Sequence, residues 1–244
     1  MSEARQRWRL IVARDEAARE LAQREVTTAW ETAFRASGLP IAETDGAVPR
    51  PRIAYGAPVP VGMLAAREPI DVALFERRRI HEVREAIERV APAGHRLVDL
   101  YDMWSGSPTL AGSIVAGEYR ATVGMADGAA LDPVELDAAL RSMLDADRIT
   151  SRREKGGAVV DVDIRPHILE LRMDRAADGT TAGAGARGIA DDGPVDLLMR
   201  LRLGGEGGVG RPDEVVAALG ARLERTLTTR AVTRELVILA DGPA

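Results

Sequence analysis

Arginines set on a proline-rich stretch are the first candidates for chemistry in this chain. In "VPRPRIAYGAPVPVG" (48–62), Arg50 and Arg52 alternate along an extended run, so they share one side while Ile53 and Tyr55 take the other. A paired guanidinium makes planar, bidentate contacts to phosphate or carboxylate. Packing gives no reason for a core strand to double its arginines. Pro49, Pro51, Pro58 and Pro60 restrict their own φ and the residues before them, so this run loses little entropy when it engages a partner.

The other chemistry-bearing patterns are weaker. "GEGGVG" (205–210) is a literal G-x-G-x-x-G, but Pro212 starts the following helix only after the third glycine, and repeated parallel βαβ units are missing around it. It reads as a chance match. Asp161 and Asp163 share a strand face, too few ligands for a hard cation without a phosphate. His81, His95 and His167 lie scattered, without metal-ligand spacing. Tyr55, Tyr101, Trp104 and Tyr119 are aromatics capable of stacking on bases, and with 3% aromatic content the core claims most of them.

Composition closes off several classes. There is no cysteine, so disulfides, thiolate nucleophiles and Cys-ligated clusters are excluded from this chain. The net charge of −5 argues against a general polyanion binder and leaves room for a local arginine patch. The opening residues carry neither a signal-type apolar region nor a spanning segment, which predicts a cytoplasmic protein that does not use the membrane.

The elements that must position these residues follow from periodicity. "RWRLIVA" (7–13) reads as a strand, and the run from Arg14 to Gly38 as a helix with Ala18, Leu21, Val26, Trp30 and Phe34 on one face. The segment through "LPIAET" and "RPRIAYGA" reads as a two-part second strand, "EPIDVALF" as a third, residues 77–92 as a second helix and "HRLVDLYDMW" as a fourth strand. This β-α-β-β-α-β order is the ferredoxin-like arrangement. "SGSPTLAGS" (105–113) reads as a linker, dividing the chain into domains 1–106 and 107–244. The second half repeats the logic: a strand, a helix capped by Asp132 and Pro133, a hairpin turning on "KGG", two strands, a helix from Pro212 and a last strand. The predicted class is therefore α+β, two ferredoxin-like halves with mainly antiparallel sheets. The glycine-rich stretch 176–193 has the composition of a flexible loop.

Several motifs together resemble the radical-SAM-linked proteins, a bacterial family fused to, or encoded beside, radical SAM proteins. They are "RASGLPIAETDGAVPRPRIAYGAPVPVG", "EPIDVAL", "VDVDIRP" and "GRPDEV". The chain departs from the family's pattern in "AQREVTTAW" (22–30) and at Thr44, Gly46 and Ala47, before the proline-rich strand. Because the cysteines that hold a radical SAM cluster are missing, the resemblance implies an accessory or substrate-presenting module. The iron–sulfur cluster and SAM would belong to a partner chain, and the substrate would be RNA or translation-related. No cofactor, metal or catalytic residue is assigned to this chain. The binding residues expected from motif and resemblance are Arg35, Arg50, Arg52, Tyr55, Glu68, Asp71, Asp163, Arg165 and Arg211. The rival readings are a scaffold that only docks the radical SAM protein, and a stand-alone RNA-processing enzyme.

Overall fold

The computed structural model describes residues 4–104, 106–174, 194–204 and 208–243. The glycine-rich stretch 176–193, read above as a flexible loop, lies outside the described residues, as do the first three residues of "GEGGVG". The fold is mixed α+β, built on mainly antiparallel strands, and its contacts divide the chain into two compact units. Unit 1 comprises residues 1–115 and 234–244; unit 2 comprises residues 116–233.

Unit 1 begins with β1 (Gln6–Arg14), α1 (Gln23–Ala36), β2 (Ile53–Tyr55) and β3 (Leu64–Leu74). It continues with α2 (Ile80–Val90), β4 (His95–Met103) and a one-turn α3 (Leu110–Ser113). β1 lies between β4 and β3, antiparallel to both, and β2 pairs antiparallel with β3. Alternation sends Trp8, Leu10 and Val12 of β1 and Ile70, Val72 and Leu74 of β3 to one face. There they meet Val26, Trp30, Ala33 and Phe34 of α1 and Val83 and Ile87 of α2, which recur at helical spacing. Trp30 and Phe34 pack with ring centroids 5.5 Å apart at the centre of this core.

In unit 2, β5 (Ile114–Met125, from residue 116 on), α4 (Pro133–Leu144) and the hairpin of β6 (Thr150–Lys155) and β7 (Ala158–Asp163) come first. β8 (Ile168–Met173), β9 (Val195–Arg202), α5 (Pro212–Arg222) and the first part of β10 (Leu227–Leu239) complete it. β9 pairs antiparallel with β5 and with β8. Gly156 and Gly157, at φ +60° and +81°, make the two-residue turn that a tight hairpin needs. Asp132 caps α4 by accepting from the Val134 N–H at 2.8 Å.

Local departures from the sequence reading have physical causes. The first helix does not start near Asp15: residues 16–18 form a 3-10 turn, and α1 begins at Gln23. The carbonyls of Ala18, Arg19 and Leu21, which a continuous helix would use, accept instead from the guanidinium of Arg14. The second strand shrinks to three residues, because Pro49, Pro51 and Pro58 have no N–H to give to a ladder. What precedes it survives as bridges between Ile41 and Leu74 and between Glu43 and Pro51. β3 starts at Leu64 and absorbs residues read as a connection, and α3 forms within the stretch read as a linker.

Candidate functional site

The proline-rich segment sits against the edge of β3. The Ala42 N–H donates to the Ala73 carbonyl at 2.8 Å, and the Ala73 N–H to the Arg52 carbonyl at 3.0 Å. Beyond Tyr55, the Gly56 N–H reaches the Pro69 carbonyl at 3.1 Å. From there to Gly62 the chain leaves the ladder, and its carbonyls need other donors.

Three arginines supply them. Arg234, with no solvent exposure, donates through Nη2 to the Ala57 carbonyl at 2.6 Å and through Nη1 to that of Pro58 at 3.3 Å. Arg14, 4% exposed, reaches the Val59 carbonyl at 3.3 Å, and Arg19 the Gly62 carbonyl at 2.8 Å. The Gly62 N–H returns a bond to the Arg19 carbonyl at 2.9 Å. The segment is thereby held by its backbone from the inside, while Pro58, Pro60 and Val61 face outward.

The buried charges are balanced locally. Glu68 grips Arg234 in a two-pronged pair, both oxygens at 2.6 Å. Burial pushes the Glu68 carboxyl above the ordinary range, and the Arg234 guanidinium pulls the other way. Burial also lowers Arg14, an effect that the charge of Glu68 opposes. Asp71 is occupied in the same manner by Arg9, at 2.7 and 3.0 Å. Glu68 and Asp71 are therefore buried partners of this chain's own arginines.

Around α1 the arrangement is open. Arg50 donates to Glu31 at 2.5 Å, and Arg35 approaches the same carboxylate at 3.9 Å. Tyr55 donates through its hydroxyl to the Thr27 carbonyl at 3.3 Å; burial, with the neighbouring Glu31 charge, drives its phenol well above the usual value. Arg35, Arg50 and Tyr55 thus gather on one side of α1. Arg52 is exposed and has no side-chain partner among the described residues. Val48 is also exposed, at 77%.

The remaining motif residues lie in unit 2. Asp163 accepts from the backbone N–H groups of Ile149 and Arg165, both at 3.0 Å, which holds its carboxyl below the ordinary range. Arg165 clamps the end of α4 to the start of β8, reaching the Leu144 carbonyl at 2.6 Å and that of Ile168 at 2.8 Å. Gly210, the last glycine of "GEGGVG", packs so closely that an added Cβ would lie 2.9 Å from the Leu201 Cβ and 3.1 Å from the His167 carbonyl oxygen. That glycine serves packing. Arg211 is exposed at the start of α5, and Glu214 one turn on is held by Arg153 at 2.5 and 2.6 Å. Among the described residues no group of three or more His, Cys, Asp or Glu is placed to hold a metal ion. Among the described residues no helix is long and apolar enough to cross a membrane.

The sequence reading missed Arg14, Arg19 and Arg234. Arg14 and Arg19 lie in a stretch that reads as strand and helix, and Arg234 inside a strand, where their charge looks like a solvated face. The available signal was an arginine at a strand position that alternation assigns to neither a clear core nor a clear surface.

A family model matches residues 7–202, described as "Uncharacterized protein conserved in bacteria (DUF2344)". The chain belongs to that family. No curated protein matches it. Among solved structures it is similar to a chain of a Cbf5-Nop10-Gar1 complex, at 8% identity and a TM-score of 0.48, over 93% of this chain and 48% of that one. It is also similar to a chain of the archaeal box H/ACA sRNP Nop10-Cbf5 complex, at 8% identity and a TM-score of 0.43, over 92% and 46%. This chain spans about half the length of those chains.

Proposed function

We propose that this protein is a binding module whose proline-rich segment, residues 48–62, is a preformed docking surface for a radical SAM enzyme acting on RNA or a translation-related substrate. The observation that carries the reading is the pair of buried guanidiniums, Arg14 and Arg234, on the carbonyls of Ala57, Pro58 and Val59, with the half-buried Arg19 on that of Gly62. Burying charge is costly, and here it fixes a loop that carries no catalytic group. A surface ordered in advance loses less entropy on association. Arg52 and Val48 at its entrance and Pro60 and Val61 at its exit are exposed for contact. Within the segment Arg50 and Tyr55 reach Glu31 and the Thr27 carbonyl of α1, beside Arg35 of that helix.

The radical SAM partner comes from the motif resemblance and from the missing cysteines. The fold reading refines in the same way. Unit 1's β4-β1-β3 order, with β2 on the far side of β3, supports reading it as a ferredoxin-like domain. Unit 2's β5-α4-β8-β9-α5-β10 sequence follows it, with the β6–β7 hairpin inserted.

Co-expression with a radical SAM protein of the same bacterium, followed by affinity purification with and without nuclease, tests the reading. A complex that survives nuclease and is lost in the V48D/R52E/V61D variant supports direct docking. A complex lost on nuclease treatment shows that RNA makes the bridge. Retention of the complex by the triple variant places the contact elsewhere.

A further inference from the structure

Two of the three tryptophans are buried in unit 1, Trp8 at 2% and Trp30 at 0% exposure, whereas Trp104, just after β4, is 75% exposed. Burying an indole removes a large apolar area from water, so leaving it outside forfeits that stabilisation. The ring is nonetheless seated. It lies over Gly106, where any Cβ would collide with it, and the turn beneath it is closed by the Ser107 N–H to the Trp104 carbonyl at 3.0 Å. Arg7 braces the same turn, reaching the Trp104 carbonyl at 3.4 Å and that of Ser107 at 2.9 Å.

Three cations at this end of the sheet are free of side-chain partners among the described residues. Gln6 ties the start of α2 to the end of β4: its side-chain amide donates to the Arg78 carbonyl at 3.2 Å and to Asp102 at 2.8 Å, and its oxygen accepts from the Arg78 N–H at 2.8 Å. This brings "RRR" (77–79) to the end of the sheet where Trp104 emerges. Arg5 adds to it from the start of β1, its N–H on the Leu74 carbonyl at 2.8 Å. Arg5, Arg77 and Arg79 are exposed, and their guanidiniums have no partner among the described residues. The nearby carboxylates are engaged: Glu76 with Arg78 at 3.0 Å, Asp102 with Gln6, and Glu82 on the Arg79 N–H at 2.6 Å.

An exposed, propped indole beside unpaired arginines has the two parts of a single-strand site: a face on which a base stacks and cations that follow the phosphates. From this we infer that Trp104, with Arg5, Arg77 and Arg79, binds single-stranded RNA. The inference deepens the RNA part of the proposed function but uses none of the docking residues, so the two fail separately. An acidic protein partner would meet the arginines but gain little from the flat indole. It is the occupant that the test must exclude.

The probe is an eight-nucleotide oligouridylate, followed by tryptophan fluorescence and by anisotropy of a labelled strand at low salt. Stacking on Trp104 should quench the emission, because the other two indoles are buried. W104A should weaken binding by about 5- to 150-fold, and W104F should retain most of it while abolishing the quench. R77A/R79A should reduce the slope of log K against log salt by about 1.4, the share of two phosphates on a single strand. Trp104 and both arginines are exposed, so these variants should fold; circular dichroism checks that. Absence of binding at low salt, binding that W104A leaves intact, or a polyglutamate peptide that binds as tightly as the RNA would each overturn the inference.

Discussion

Glu68 and Arg234 stand 166 positions apart in sequence and meet in two hydrogen bonds of 2.6 Å, with the arginine wholly buried. Removing one member leaves the other charged and unpaired out of water. E68A should therefore cost about 3–5 kcal/mol, and E68L/R234M distinctly less, in urea-unfolding experiments that compare both with the parent. His95 gives a second test. It is buried, its Nδ1 lies 3.2 Å from the Ala93 carbonyl and its ring meets Trp30 edge-on, and burial lowers its pKa from 6.5. The folded state then keeps His95 neutral where the unfolded chain takes up a proton, so the unfolded state binds more protons just below pH 6.5. Stability should fall as pH drops through that value, and H95Q should flatten this part of a Tm-against-pH curve. A Tm profile that H95Q leaves unchanged would remove His95 as its source. At this scale the sequence showed which residues carry charge but not whom they meet. Arg50 and Arg52 are both exposed, but Arg50 is engaged with Glu31 whereas Arg52 has no side-chain partner among the described residues.

Secondary structure was far more legible, because periodicity and caps are local. The helix caps at Asp132 and Pro212, the "KGG" turn and the end of α2 before Pro92 all lie where the sequence places them. The start of α1 was not legible, since it is decided by Arg14 taking the carbonyls of Ala18, Arg19 and Leu21. Nor was the loss of the second strand's ends, which depends on which prolines fall where β3 offers a partner. Gly94 tests how tightly the same corner is packed: at φ +73° it lies where a Cβ would come within 2.5 Å of the Ala18 backbone nitrogen. G94A should destabilise unit 1 by more than the roughly 1 kcal/mol typical of an unfavourable glycine replacement, measured by thermal unfolding. In unit 2 the Arg153–Glu214 pair fastens the β6–β7 hairpin to the first turn of α5. R153A should speed amide exchange in the hairpin while leaving β8 and β9 protected; uniform loss of protection would mean that the pair holds the whole unit together.

For the molecule as a whole, a net charge of −5 coexists with arginines that mostly serve its own backbone and carboxylates. Arg9, Arg14, Arg19, Arg153, Arg165 and Arg234 all have internal work. The arginines proposed for contact, Arg52 on the proline-rich segment and Arg5, Arg77 and Arg79 beside Trp104, are exposed. Charge counting could not separate these groups, since each is defined by three-dimensional partners. The central claim, that buried arginines order the proline-rich segment for docking, has one direct measurement. Affinity for a co-expressed radical SAM protein, the partner proposed above, is compared for the parent, R14M and V61D, with unfolding followed in parallel. The account predicts that R14M weakens binding while the chain stays folded, because the segment loses its internal bracing, and that V61D weakens it by removing the contact itself. Equal affinity for all three folded proteins would contradict it.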